Sequence, residues 1–455
     1  MSIRFHLVPR WFAASVALSL GLLAALPPGI SSAAPADVGY KDFAYTASSV
    51  NDPTEDKPQS KVWYADGSWW GGLFHVASDT FHIYRLNLTS QEWVDTGVAL
   101  DIRNGSHGDY LYDATSNSLY VASVAGDSET KPILVFKYTY DTATDTYALD
   151  PDFVDAGTLD PGIVAGQGPA ETVTIAKDST DRLWITFTNP VDPADLAGNR
   201  NVMINSSTTN EQTWGDPFVL PTQGSTITGD DISAVTAFGG DSIGVMWSDQ
   251  NPAGNQNFFY FATHPDGQAQ TEGWTSRQAS ASGVDGFAED HINLKLVATD
   301  SGRVLAAVKA NSGPNHILLL ERDATNGTWT THVVVAEGLD VTRPQVVVDE
   351  TNQRAYVAYS SPDSGGKIYY KSAPLGNLDS FPTGLGTVLM ESSGDAINNV
   401  SFSKQTVTSQ SGLLAIASDE ANYFHNYLPL GGAQPALSGE FHSLTPNRIL
   451  DTRNG

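Results

Sequence analysis

The chain has 455 residues, no cysteine, and 51 acidic against 24 basic side chains, a formal net charge of −27 at pH 7. It therefore lacks disulfide staples, a thiol nucleophile and any cysteine-based zinc centre, and at this length it can bury enough apolar surface without them. Lys and Arg are too few and too scattered to neutralise a phosphate backbone, so nucleic acid is not expected as a partner.

The N-terminus reads as an export signal. Arg4 and Arg10 precede an uncharged apolar run from Trp11 to Leu26, which Pro27, Pro28 and Gly29 break. Ala34-Pro35-Ala36 is a small-x-small cleavage site. A membrane anchor needs about 20 apolar residues, and this run falls short of that. Residues 1–36 are thus expected to be a signal peptide cut after Ala36, with Ala34 as the alternative. No later segment is apolar enough to span a bilayer. The expected product is a monomer, secreted or held at the cell surface.

Beyond Ala36, helical periodicity is almost absent. Short runs rich in Val, Ile, Tyr, Phe, Thr and Trp alternate with Gly, Asn, Asp and Pro, which is the pattern of strands and turns. The runs recur as units that open near Gln59, Asp109, Glu171, Asp231, His291, Arg343 and Asn399. In the clearest unit, His291 to Leu296 leads through Asp300-Ser301-Gly302 to a second strand at Arg303 to Ala310. His316 to Arg322 and Trp329 to Val335 follow. Trp93, Trp214, Trp274 and Trp329 mark the starts of outer strands and are expected to pack between units. A repeat of roughly 50 to 60 residues predicts an all-β chain folded as one β-propeller over 37–430, with seven four-stranded blades. Six blades or a two-sheet sandwich are the alternatives. The seventh unit is one strand short, and an unpaired strand at Asp42 to Thr46 can complete it, joining the chain ends and removing sheet edges. Residues 431–455 read as a linker followed by Pro446-Asn447-Arg448-Ile449-Leu450-Asp451-Thr452-Arg453, which resembles the opening of modules found at the C-termini of bacterial surface proteins.

In a propeller the innermost strand of each blade lines the channel, so residues entering those strands converge on one face. Here the entries carry Lys61, Asp109, Glu171, Asp231, Asp290 with His291, Arg343 and Asn399. Glu171, Asp231 and Asp290 are the candidate catalytic groups, because glycoside cleavage needs paired carboxylates, one with a raised pKa. Lys61, Asp109, His291, Arg343 and Asn399 are candidate binding groups, with Trp69, Trp70 and Tyr110 as flat faces for a sugar. The competing reading of each is a polar residue that solvates the channel mouth or caps a loop. No phosphate loop, nucleophile elbow or zinc helix motif occurs. No cofactor and no metal ligand set are expected. Calcium held structurally by some of the Asp residues is the one ion considered, without EF-hand spacing behind it.

Several segments resemble a group of secreted bacterial propellers related to sialidases. They are Trp63-Tyr64-Ala65-Asp66-Gly67-Ser68-Trp69-Trp70, Thr174 to Asp178, Asp230 to Val235, Ile243 to Ser248, Glu289 to Lys295, and Thr342-Arg343-Pro344. The resemblance spans nearly all of 40–430 and implies a sialidase-like fold more than a defined activity. The sialidase Asp-box S-x-D-x-G-x-T-W survives only in Ser207, Thr213 and Trp214, with Thr209 and Glu211 in place of its Asp and Gly. Of the Arg triad that grips the sugar carboxylate in sialidases, only Arg343 has a counterpart. The expected function is a carbohydrate-active propeller that recognises a glycan or other extracellular ligand, with glycoside hydrolysis at the same face. The alternative is a non-catalytic binding or surface-display module.

Overall fold

The computed structural model describes residues 30–431 except 32, 46–49, 51, 56–57, 127–130, 152, 154–161, 193, 197, 251–257, 281–287, 297–302, 311–314 and 337. At 30–31, 288–296 and 315 it describes the backbone alone. The expected signal segment 1–29 and the tail 432–455 lie outside the described residues.

Seven antiparallel sheets, each a meander running from the channel outward, form a seven-bladed propeller. Blade 1 comprises Val62–Ala65, Ser68–His75, Thr80–Asn87 and Glu92–Ala99. Blade 2 comprises Ser106–Asp113, Ser118–Ala125, Pro132–Asp141 and Thr146–Leu149, and blade 3 comprises Val173–Lys177, Leu183–Pro190, Arg200–Ser206 and Phe218–Val219. Blade 4 comprises Ser233–Phe238, Ser242–Asp249, Phe258–Pro265 and Thr275–Gln278. Blade 5 comprises Ala288–Leu296, Val304–Ala310, Asn315–Arg322 and Trp329–Ala336, and blade 6 comprises Thr342–Asp349, Arg354–Ser361, Lys367–Pro374 and Thr387–Met390. No helix among the described residues is long and apolar enough to cross a membrane.

Blade stacking explains the strand composition. Second strands such as Leu183–Pro190 and Leu413–Ser418 are covered on both faces by neighbouring blades, so they are apolar almost throughout instead of alternating. Turn chemistry fixes the registers. Asp66 (φ 45°) and Gly67 (φ 76°) form a two-residue hairpin loop between Ala65 and Ser68, a left-handed pair that Asp-Gly satisfies. In the degenerate Asp-box, the Thr208 amide donates to the Thr213 carbonyl at 2.8 Å, and Glu211 holds φ 65° where the motif has Gly. The outer-strand tryptophans pack on the preceding blade, as expected. Trp329 meets Phe261 with ring centroids 5.1 Å apart, Trp274 meets Trp184 at 6.0 Å, and Trp93 meets His425 at 6.0 Å.

Blade 7 is built from Asn398–Ser401, Leu413–Ser418, Asn422–Leu428 and the N-terminal strand Tyr40–Ala44, so the two ends of the chain close the ring. The closing strand begins two residues earlier than expected from sequence. Asp42, which looked like a strand start, lies in its middle because a buried partner matches its charge. His425 Nδ1 is 2.9 Å from both Asp42 carboxylate oxygens, and His425 Nε2 is 2.9 Å from Oε1 of Gln91 in the turn of blade 1. Burial pushes the Asp42 carboxyl up, while the imidazole opposes the shift. Ile30–Ser31 pairs with Val94 and Trp93, and Ala34–Pro35 with Lys41 and Tyr40. The closing strand itself lies wholly after Ala36.

Candidate functional site

Buried polar side chains tie neighbouring blades together near their inner strands. Asp109 is fully buried, and its two oxygens accept the Ser60 amide at 2.8 Å and the Ile175 amide at 2.9 Å. Lys404 Nζ of the blade 7 segment reaches Oδ2 of the same carboxylate at 2.7 Å. Lys61, also buried, donates to Gln59 Oε1 at 2.6 Å and to the Gly108 carbonyl at 3.2 Å, and Gln59 Nε2 donates to the Val173 carbonyl at 3.0 Å. Lys61 and Asp109 are therefore brought together, but inside the protein and on each other's neighbours. Both side chains are buried. Asp109 does not sit at the entry of its strand either: blade 2 begins at Ser106, and the residues before Asp109 carry no apolar signal that could have announced it.

The proposed aromatic platforms are also corrected. Trp69 and Trp70 are 1% and 0% exposed, with their indole N–H groups donating to the Ser411 and Ala65 carbonyls. Tyr110 is buried against Trp63. On strands covered on both faces these three rings turn into the core. Asp231 is fully buried, and its Oδ2 accepts the Thr228 amide, the Thr228 hydroxyl and the Gln250 amide at 2.7–3.0 Å. This carboxylate is thus a loop cap, and its inward Oδ1 has no partner among the described residues. Glu171 is half-buried at the entry of blade 3, where its carbonyl lies 3.1 Å from His107 Nε2. Asp290 and His291 lie in the inner strand of blade 5, and their side chains fall outside the described residues.

The entries of blades 5, 6 and 7 share a backbone feature. Each inner strand slips register against the next strand, between Ala288 and Ile292, between Thr342 and Gln345, and between Asn398 and Ser401. Such bulges re-aim side chains. Asp290 and His291, Arg343, and Asn399 sit inside these three slips. Arg343 holds φ 54°, a left-handed conformation that strains a residue with a long side chain, and Asn399 holds φ 55°, which Asn adopts more readily.

Arg343 and Asn399 meet a loop that the sequence reading passed over. Arg343 Nη2 is 3.3 Å from Glu55 Oε1, and Nη1 is 4.0 Å from Asp363 Oδ1. The Arg343 Nε is buried with no partner among the described residues, as is Asn399 Oδ1. The Asn399 side chain also hydrogen-bonds Asp52, itself left-handed at φ 50°. Burial and the Glu55 and Glu420 carboxylates raise the Asp52 pKa, against the pull of Arg343 and Asn399. Lys309, on the second strand of blade 5, reaches Thr342 Oγ1 at 3.3 Å and Asp363 at 3.6 Å. Thr54 anchors the loop by its 2.8 Å hydroxyl contact with Ser418. Glu55 lies 288 positions from Arg343, so no local pattern could pair them.

The opposite mouth holds a cavity of about 390 Å³ lined by Tyr112, Asp113, Lys177, Asp181, Thr236 and Lys404 among others. Its charged groups are held in ion pairs. Lys177 bridges Asp113 at 2.9 Å, Asp181 at 3.0 Å and Glu211 at 3.1 Å. Burial works against the Asp113 charge, but the Lys177 bond and two turn contacts hold its pKa below the usual range. The strand-entry mouth instead combines left-handed residues with buried polar atoms that lack partners among the described residues. Unsatisfied buried groups of this kind mark a place where a ligand or water completes the bonding.

No family model matches the chain, and no curated protein matches it. Solved structures of similar shape include the polysaccharide lyase Uly1 at 9% identity, covering 87% of this chain and 94% of the lyase with a TM-score of 0.44. Drosophila Semaphorin 2a is 9% identical over 84% of this chain and 76% of its own, with a TM-score of 0.48. A mutant Trypanosoma rangeli sialidase with trans-sialidase activity is 11% identical over 81% and 59%, with a TM-score of 0.41. Sialidase-like and other propellers are thus the chain's neighbours in shape, at identities that do not select one family or activity.

Proposed function

We propose that this chain is an exported carbohydrate-recognising β-propeller that takes a neutral glycan at the strand-entry mouth. The observation that carries the reading is Arg343: a left-handed backbone sets its guanidinium beside Glu55 and Asp363 at the mouth, and its buried Nε has no partner among the described residues. The planar fork of the guanidinium can donate to a sugar hydroxyl or ring oxygen, and the neighbouring carboxylates accept hydroxyl protons. Around the mouth Asp52, Glu55, Asp363 and Glu420 outnumber Arg343 and Lys309. A sugar carboxylate would meet repulsion there, which favours neutral glycans over sialic acid.

Hydrolysis at the same mouth is the second reading: Asp52 is half-buried beside Glu55, which pushes its carboxyl up and suits a proton donor to a leaving-group oxygen. Among the sequence candidates, Asp231 is occupied as a loop cap, so Asp52 with Glu55 replaces it in this reading. The test is a glycan array read beside a panel of chromogenic glycosides, with Arg343→Gly and Asp52→Asn as variants. Binding of neutral glycans that is lost in Arg343→Gly supports recognition. Turnover that is lost in Asp52→Asn supports hydrolysis, and silence of the wild type in both assays contradicts the proposal.

A further inference from the structure

Blade 1 carries a cluster of metal-ligating side chains away from the Arg343 mouth. His75 ends the second strand, His82 lies in the third and Asp95 in the outer strand, so three strands supply one residue each. Their ligating atoms all lie within 4.8 Å of one another. A register slip between the third and outer strands aligns Asp95 with Tyr84, and His82 with Ala99. The bulge that this creates swings the Asp95 carboxylate back toward His82. The Gly97 amide, itself at φ 76°, donates to Asp95 Oδ1 at 2.8 Å and fixes the carboxylate.

Oδ2 of Asp95 then faces both imidazoles. It lies 3.1 Å from His82 Nδ1 and 3.7 Å from His75 Nε2. Ligand atoms on a tetrahedral Zn²⁺ with bonds near 2.0–2.1 Å are about 3.3 Å apart, and these two separations bracket that value. The far sides of both rings converge on one hydroxyl: Ser78 Oγ is 2.8 Å from His75 Nδ1 and 3.0 Å from His82 Nε2. The Ser78 oxygen has two lone pairs and can accept an N–H from each ring while donating to Thr80 Oγ1, 2.8 Å away. Metal ligation needs both ring protons on the Ser78 side; with no ion bound, His82 Nδ1 lies 3.0 Å and 3.1 Å from the two Asp95 oxygens, a hydrogen bond whose proton an entering cation displaces. In the metal-bound state the Ser78 hydroxyl orients both rings through their other nitrogens. The rings are stacked with centroids 4.3 Å apart.

We infer that His75 Nε2, His82 Nδ1 and Asp95 Oδ2 bind a Zn²⁺ ion, with water in the fourth position. The His82 and Asp95 side chains are nearly buried, whereas His75 is 26% exposed, which leaves one side of the site open to solvent. Two imidazoles and one carboxylate select a borderline transition metal over Ca²⁺, which prefers six or more oxygens. The sequence reading expected no metal here because the three residues match no local spacing motif. The hairpin loop and the bulge assemble them.

The experiment is titration of the metal-free full chain with Zn²⁺ in millimolar Ca²⁺, which occupies non-specific acidic sites. It is followed by calorimetry and by the visible spectrum of the Co²⁺ form. One equivalent should bind, Co²⁺ should give an intense tetrahedral band, and Zn²⁺ should raise the melting temperature. His75→Gln and Asp95→Asn should each weaken binding at least 100-fold. Ser78→Ala, which keeps all three ligands, should weaken it about 10- to 100-fold. His75→Gln alters the most exposed ligand, so its fold can be confirmed by an unchanged metal-free melting curve. Absence of saturable binding in the wild type, or binding unchanged in both ligand variants, overturns the assignment.

Discussion

Lys404 Nζ lies 2.7 Å from Asp109 Oδ2, an ion pair that joins blade 7 to blade 2 across the inner edge of blade 1. The same carboxylate holds one amide of the segment entering blade 1 and one of blade 3, so a single side chain ties four consecutive blades around the channel. Asp109→Ala would leave a half-buried lysine charge and two buried amides without an acceptor. The expected loss is about 3–5 kcal/mol, measured by urea unfolding. Glycan binding by the fraction that remains folded should be unchanged, because Asp109 does not reach the strand-entry mouth. A stable variant with altered binding would contradict this division of roles.

Ring closure rests on the buried Asp42–His425 pair. His425→Ala removes the partner of a fully buried carboxylate and of Gln91, with an expected cost of about 3–5 kcal/mol. The double variant Asp42→Asn/His425→Ala should be less destabilised than the sum of the single changes, because it leaves no uncompensated charge. Additive losses in a double-mutant cycle would show that the two residues do not act as a pair.

Lys371 gives the clearest dependence on pH. It is buried in blade 6, with Nζ 2.6 Å from the Val334 carbonyl, and burial pushes its pKa down to about 8. The folded state thus holds this proton less tightly than the unfolded chain does. Its destabilising effect is constant below pH 8 and fades as pH rises from 8 toward the unfolded value of 10.5. The upper limit of the penalty is about 3 kcal/mol. Lys371→Met also loses the bond to Val334, so a net gain of about 1 kcal/mol is expected at pH 7. The gain should shrink between pH 8 and 10. Denaturant melts at pH 7 and pH 9.5 measure it, and a gain independent of pH would remove titration of Lys371 as the cause.

The seven blades were legible because inter-blade burial makes each second strand a compact apolar run that turn residues punctuate. The outer tryptophans were legible for the same reason, since each large ring needs a neighbouring blade to cover it. Burial on both faces also misled the reading of Trp69 and Trp70. A sequence cannot tell a ring that faces a channel from one that faces the next blade. Asp109 was placed at a strand entry because Ser106-His107-Gly108 lacks apolar residues, although it forms the first part of that strand. Arg343 and Asn399 stood out as polar residues leading apolar strands. Their left-handed backbones left no trace, because neither residue is the glycine that would have marked the position. Asp52 and Glu55 were invisible as site residues, since they reach the mouth only when the terminal strand closes the ring.

The functional account stands on the strain at Arg343. Glycine adopts φ 54° without the side-chain penalty, so Arg343→Gly relieves strain while deleting the guanidinium. The most direct measurement sets neutral-glycan binding of this variant beside its melting temperature, both relative to the wild type. The account predicts binding lost by at least tenfold with a melting temperature equal to or above the wild type, because the strain serves the ligand and not the fold. Retained binding with a lowered melting temperature would contradict it, and would make Arg343 a strut between Glu55 and Asp363.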